Sequence, residues 1–517
     1  MSTFQGLEMA RKALFAQQGA LYTTGHNIAN VNTAGYSRQR VNFETTSPFP
    51  VPSRVQPQFP GQMGTGVEIG TVQRVRNKFL DFQFRAENSK LKYWETKQEG
   101  LSRMEELLNE PSDNGLSTIM DQFWQSLQEL AGNPENSGAR SVVAQKGLAL
   151  AETFNHLSRS LQSIQADLKD QIENGSVKEI NSLLERINDL NGQIQKIEPH
   201  GFLANDLYDE RDRLIDQLSE HMNIKVHYRK SSDSALDIAD GIASIELLDS
   251  SGNSFEPEVY LIDAKDSIED AVNKLKVDFH DGTGLVNGIT IGEQTVFGDG
   301  ANNVDFLDSI GSLTALIEAH GYMEGDQSKG EYPQMLAELD KLAQEFAKAF
   351  NEVHSKGSHL VEGEDVPAFF TDGTDGNDYG NISAANITVN KDILENPNLI
   401  AAGDPSKGSR NGDNALELAK VFETNIDELE SSPRKFLTAL IGELGVQGQK
   451  AKGMKDSTEI LKSQVEYSRM SVSAVSLDEE ISNLIKFQHA YNAAARNMTA
   501  IDEMIDRIIN QMGLVGR

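Results

Sequence analysis

His354 and His359 are the most closely spaced histidines in the sequence and the first residues to test for metal chemistry. They stand five apart across Gly357, which does not put two imidazoles on one helical face, and no His-Glu-x-x-His occurs. The run TDGTDGNDYGN, residues 371–381, has the acid and amide density of a calcium loop. Counted from Asp375, Asn377 fits, but Tyr379 does not, and the twelfth position is Asn386 where a glutamate is needed. A solvated turn is expected there. GQMGTG, residues 61–66, lies among prolines, so its glycines read as turns rather than as a phosphate cradle. No serine or histidine stands in a nucleophile-elbow setting, and nothing marks one carboxylate pair above the many others. The sequence predicts no catalytic residue, no cofactor and no metal site, and the chain is expected not to be an enzyme.

The polar chemistry that does stand out binds backbone. In NIANVNTAGYSRQR, residues 27–40, three asparagines close an apolar helical pattern. Asparagine tolerates the left-handed conformation and caps free amides and carbonyls. Gly35 can supply a positive-φ turn, and Tyr36 can pack its ring on neighbouring helices with its hydroxyl in water. Asn30, Asn32, Gly35 and Tyr36 are therefore expected to form a helix-end reversal that sets how one rod leads into the next element.

Two long elements must position that turn. Leu7, Leu14, Leu21 and Ile28 recur every seven residues at the N-terminus. At the other end Leu477, Ile481, Leu484, Gln488, Tyr491, Ala495, Met498, Asp502, Ile505, Ile509 and Met512 follow steps of four and three, with only Gln488 and Asp502 polar. Residues 477–512 would make a rod of roughly 50 Å. A narrow apolar seam on a long rod needs a partner helix. The two ends are expected to pair, and both seams to serve self-association.

The rest bounds the class. The chain has 517 residues, with 38% hydrophobic and 24% charged, which suits a folded protein of several domains. Its net charge of −31 disfavours nucleic acid as a partner. The acid is uneven: residues 1–40 hold Arg11, Lys12, Arg38 and Arg40 against Glu8, whereas 231–300 are dominated by Asp and Glu. There is no cysteine, hence no disulfide. No stretch reaches the ~18 apolar residues needed to span a bilayer, and the first 25 residues lack the apolar core of a cleaved secretory signal.

The expected fold is mainly α with a β-rich insertion. Coiled-coil helices at 1–37 and 471–517 flank an elongated helical bundle at 71–225, 303–357 and 413–470, and 38–70 is an extended connector. A small outer β domain is expected at 226–302, dispensable for assembly, from its alternating pattern and the hairpin GITIGEQTVFGDG. Residues 358–412 read as Gly-, Asp- and Asn-rich loops with possible strands.

NIANVNTAGYSRQRV, residues 27–41, resembles the N-terminal signature of bacterial flagellar rod, hook and hook-associated proteins, with Ala29, Asn30, Asn32, Thr33, Gly35, Tyr36 and Arg38 in its pattern. NDLYDERDRLIDQLSE (205–220), GSLTALIEAHG (311–321), LDKLAQEFAKAFNEVHSKG (339–357) and SVSAVSLDEEISNLIKFQHAYNAAARNM (471–498) narrow this to the FlgK family. Phe487, Tyr208 and Glu210 depart from the commonest residues at their positions, and 226–302 carries no specific match. The resemblance implies a structural protein joining flagellar hook to filament, outside the cell after export through the flagellar type III apparatus. It implies as partners other copies of itself in an axial ring, hook protein, hook-associated protein 3, and a cytoplasmic chaperone on the C-terminal helix. Leu477, Ile481, Leu484, Tyr491, Met498, Ile505 and Ile509 would then serve both assembly and chaperone binding. The alternatives are another axial protein of hook or rod type, or a secreted axial protein with an enzymatic insertion.

Overall fold

The computed structural model describes residues 3–49, 61–108, 115–265, 267–298, 304–361, 365–373 and 381–511. The middle of the proline-rich connector, most of TDGTDGNDYGN, and the seam position Met512 lie outside them. In chain order the elements are α1 (Thr3–Ala29), β1 (Gln39–Thr45), β2 (Val67–Arg74), α2 (Lys78–Leu108), α3 (Leu116–Gly132), α4 (Ser137–Asp170), α5 (Val177–Ile197) and α6 (Asn205–His221). There follow β3 (Ile224–Arg229), β4 (Ile242–Leu247), β5 (Tyr260–Ile262), β6 (Leu275–Phe279), β7 (Val286–Ile291) and β8 (Gln294–Gly298). The remainder is α7 (Ser312–His320), β9 (Tyr322–Glu324), β10 (Gln327–Lys329), α8 (Glu331–Ser355), β11 (Phe370–Thr371), β12 (Thr388–Val389), α9 (Lys391–Glu395), α10 (Asp413–Lys420), α11 (Pro433–Ser473) and α12 (Leu477–Gln511).

The helices follow their apolar periodicity. On α2, Phe84, Leu91, Leu101 and Leu108 are buried, and α11 lies along them with Leu437, Leu444 and Ala451. Helices α4 and α5, which read as two stripes in the sequence, are joined without a break by a π-helical turn at Gln171–Ser176 that buries Ile172. Gly201, in the left-handed conformation, ends this run.

The β-rich insertion is present but is not set apart. Strands β3–β4–β5 form one sheet, and β6 to β10 form another that reaches past residue 302 by way of the β9–β10 hairpin. Ile242, Ile245, Leu275 and Ile289 belong to the same buried cluster as Leu150, Leu184, Leu214 and Phe346 of the helices. The described strands β4 to β8 therefore share the body's core and do not form an outer domain with a core of their own. The described parts of segment 358–412 are likewise packed, with short strands β11 and β12 among their loops. They feed Phe369, Phe370, Ile387, Val389 and Ile400 into that core. Phe369 stacks 5.8 Å from Phe123, close enough that a Cβ on Gly147 would come within 2.7 Å of its ring.

His354 closes the same region. Its Nε2 accepts the Ala401 N–H at 2.9 Å, so its Nδ1–H donates to the Pro367 carbonyl at 3.0 Å. Burial is the main force lowering its pKa, to about 3, with His359 and Arg140 adding to it and the Pro367 carbonyl opposing. Between about pH 6.5 and that value only the unfolded chain takes up the proton. This contribution to stability is complete above pH 6.5 and falls by up to about 4–5 kcal/mol as pH drops toward 3. Urea melts of His354→Gln across pH 4 to 7 should show a flatter pH dependence than wild type; parallel curves would contradict this.

Candidate functional site

Helices α1 and α12 run antiparallel. Asn27 meets Glu480 at one end, and at the other a Cβ on Gly6 would lie 3.2 Å from Ile501 Cδ1. The fully buried residues of α1 are Ala10, Ala16, Ala20, Thr23, Thr24 and Asn27, while Leu7, Leu14, Leu21 and Ile28 are half-buried. On α12 the expected line Leu484, Tyr491, Met498 and Ile505 is half-buried. The second inward line is Glu480, Phe487, Ala494 and Ile501, one residue from where the sequence pattern put it. Leu477, Ile481 and Ile509 are exposed, as are Gln488 and Asp502. Those two polar residues were the signal that the seam is rotated.

The pair is fastened to the body by a polar joint made of the turn after α1, the start of α12 and the acid face of α6. Asn27, 1% exposed, uses its whole amide. Its Nδ2 donates to the Gln39 carbonyl at 2.8 Å and to Glu480 Oε2 at 3.1 Å. Its Oδ1 accepts the Gln39 N–H at 2.9 Å and the Tyr36 hydroxyl at 2.8 Å. The Tyr36 hydroxyl is therefore not left in water. It also receives His26 Nδ1–H at 3.0 Å, and burial, with Asp206, Asp209 and Glu480 nearby, holds the phenol well above its usual pKa, so it stays a donor. Asn30 Nδ2 donates to the His26 carbonyl, Gly35 takes φ +81°, and Asn32 is exposed. Arg38 bridges to Glu480 at 2.8 Å and Glu479 at 2.6 Å, while its N–H donates to the Ser473 carbonyl at the end of α11.

The connector takes part. Strands β1 and β2 pair antiparallel, and Ile69 of β2 packs against Gly19 of α1. At the end of β2, Arg74 meets Asp209 at 2.7 Å, Asp212 at 3.0 Å and also Asp240. Arg76 chelates Asp81, and Arg85 reaches Asp212 at 3.2 Å and Asp216 at 2.7 Å. Arg469 of α11 binds Asp216 at 2.7 Å. Asp209, Asp212 and Asp216 are spaced i, i+3, i+7, one face of α6. Ser37 N–H donates to Asp209 Oδ2 at 3.0 Å and Gln39 Nε2 to Asp206 at 2.9 Å, tying the turn to that face. Burial alone would raise the Asp212 carboxyl, but Arg76, Arg74, Arg85 and Arg211 together hold it well below the usual range.

The carboxylates of this cluster are occupied by guanidinium groups, and among the described residues no group of His, Cys, Asp or Glu is placed to hold a metal. Buried ion pairs add little net stability but fix geometry, since each fork accepts one arrangement. The joint ties the terminal helices to the body. Sequence reasoning missed Asn27, Glu480 and the arginines as partners; the aspartate spacing on 205–220 was the available clue.

Comparison with known proteins agrees with this layout. A family model described as the flagellar hook-associated protein FlgK helical domain matches residues 101–370. Models for the flagellar basal body rod FlgEFG protein C-terminal region and the flagella basal body rod protein match 468–512 and 7–36. Flagellar hook-associated protein 1 of Bacillus subtilis is 45% identical over the whole of both chains. Its counterpart from Escherichia coli is 24% identical, over 97% of this chain and 98% of that protein. The solved structure of the flagellar hook junction protein FlgK from Burkholderia pseudomallei covers 76% of this chain and all of its own, with a TM-score of 0.56 and 13% identity, so it is alike in fold.

Proposed function

Because the chain belongs to the FlgK family of flagellar hook-associated proteins, we propose that it joins hook to filament through contacts between the terminal helices of neighbouring copies around the axial channel. It is a structural component of the bacterial flagellum. The observation that carries the assembly reading is what the α1–α12 pair leaves outside. Phe15 and Tyr22 of α1 and Ile481 and Ile509 of α12 are 63%, 77%, 50% and 68% exposed. Each such side chain covered by a neighbour contributes roughly 1.5–3 kcal/mol. In this reading the buried and half-buried residues close the pair and the exposed larger apolar residues meet the next copy.

The same exposed residues call for masking before assembly, which supports a cytoplasmic chaperone on α12. Passage through the flagellar type III apparatus, with hook protein on one side of the finished ring and hook-associated protein 3 on the other, belongs to the same proposal. The rod-type models at both ends would also suit a hook or rod protein, but the 101–370 match favours the junction.

Leu484→Asp tests the seam. A carboxylate there must be desolvated against α1, at a cost of several kcal/mol. Cells exporting this variant at wild-type levels should build few filaments and shed filament protein into the medium. Wild-type filament number would refute the role given to the pair.

A further inference from the structure

Helix α11 is apolar in two directions, and only one is used within the chain. Leu437, Leu444, Ala451 and Thr458 repeat every seven residues and are buried on the side packed against the body, chiefly α2. A second line, Val446, Gly453, Ile460 and Tyr467, repeats at the same interval nearly opposite, because two residues rotate a helix by about 200°. Val446, Ile460 and Tyr467 are 70%, 69% and 78% exposed. The positions flanking this line are glycine, serine, glutamine and Met470, with Glu443, Lys450 and Asp456 as its charges, so the face is nearly neutral on a chain of net charge −31. Beyond the end of α11 the exposed apolar residues continue on α12 with Leu477, Ile481 and Ile485.

We propose that this outer face of α11 is a second contact between copies of this chain, at the level of the body rather than the terminal helices. The inference rests on the axial assembly proposed above. A second copy is the occupant the charge favours: two such acidic chains repel wherever their acids meet, and this nearly neutral strip lets them approach. Its continuity with the exposed side of α12 would let one neighbour cover both. From Val446 to Ser471 the face is about 40 Å long. At about 10 Å wide it covers on the order of 400 Å², half of the roughly 800 Å² per partner of a stable interface. It therefore reinforces an array already held by α1 and α12 and does not dimerise the free chain.

The test places a photo-reactive benzoylphenylalanine at Tyr467, and separately at Phe15, in the full chain in flagellated cells. Irradiation of assembled flagella should give a product of two copies of this chain from both positions. A product with a different protein at position 467, or none there while position 15 yields the self-product, overturns the α11 contact alone. Failure at both positions overturns it together with the terminal-helix reading. The exposed pair Ile460→Ser and Tyr467→Ser, with an unchanged melting curve, should be exported normally yet retained at least fivefold less in sheared flagella; unchanged retention also overturns the proposal.

Discussion

Asp212→Asn is expected to destabilise the chain by about 3–5 kcal/mol at pH 7 in urea unfolding. Asp212 is 3% exposed and sits among Arg74, Arg76 and Arg85 at 3.0, 3.3 and 3.2 Å. The substitution keeps the shape but removes the charge that three guanidinium groups share, and its amide nitrogen brings hydrogens toward other donors. The pH dependence has a definite sign. The folded carboxyl lies below its ordinary value, so its stabilisation is complete above about pH 4 and is lost as pH falls further. Asp209 behaves oppositely: burial outweighs Arg74 and Ser37, its carboxyl is raised, and the fold gains on protonating it. The deficit of Asp212→Asn relative to wild type should therefore shrink below pH 4. A loss under about 1 kcal/mol at pH 7 would mean the arginines are satisfied without it.

The second large effect is local rather than global. Asn27→Asp places a carboxylate oxygen where the amide donates to Glu480 Oε2 and the Gln39 carbonyl. Two donor contacts become acceptor–acceptor contacts, one between like charges, in a site that excludes water. Each unmade buried hydrogen bond costs about 1–3 kcal/mol, so roughly 2–5 kcal/mol is lost at the joint. The body does not depend on Asn27, so its unfolding transition should stay in place. Hydrogen exchange should speed up across residues 3–29 and 477–511, and incorporation into flagella should fall. Asn32→Asp, at an exposed position of the same turn, should do neither. If exchange in the two helices is unaltered in Asn27→Asp, the joint does not hold them.

The contrast between Asn27 and Asn32 shows where sequence reading stops. Both asparagines belong to one polar run, and local pattern marks the run as a helix end without saying which side chain turns inward. The partner of Asn27 is Glu480, 453 residues away. Likewise the spacing of Asp209, Asp212 and Asp216 on one face is visible in the sequence, but Arg74 and Arg469 are not neighbours until β2 and α11 arrive.

By itself the sequence determined the helices, their apolar faces and the pairing of its two ends, and its motifs carried the resemblance to the family. The helices and faces follow from periodicity and spacing, which act within a few turns of chain. Tertiary structure alone decided the rotation of the α12 seam onto Phe487 and Ala494, the capture of the Tyr36 hydroxyl, and the joining of β4, β6 and β7 to the helical core. Periodicity says that a face is buried; which atoms bury it depends on contacts between segments hundreds of residues apart, as Asn27 and Glu480 show.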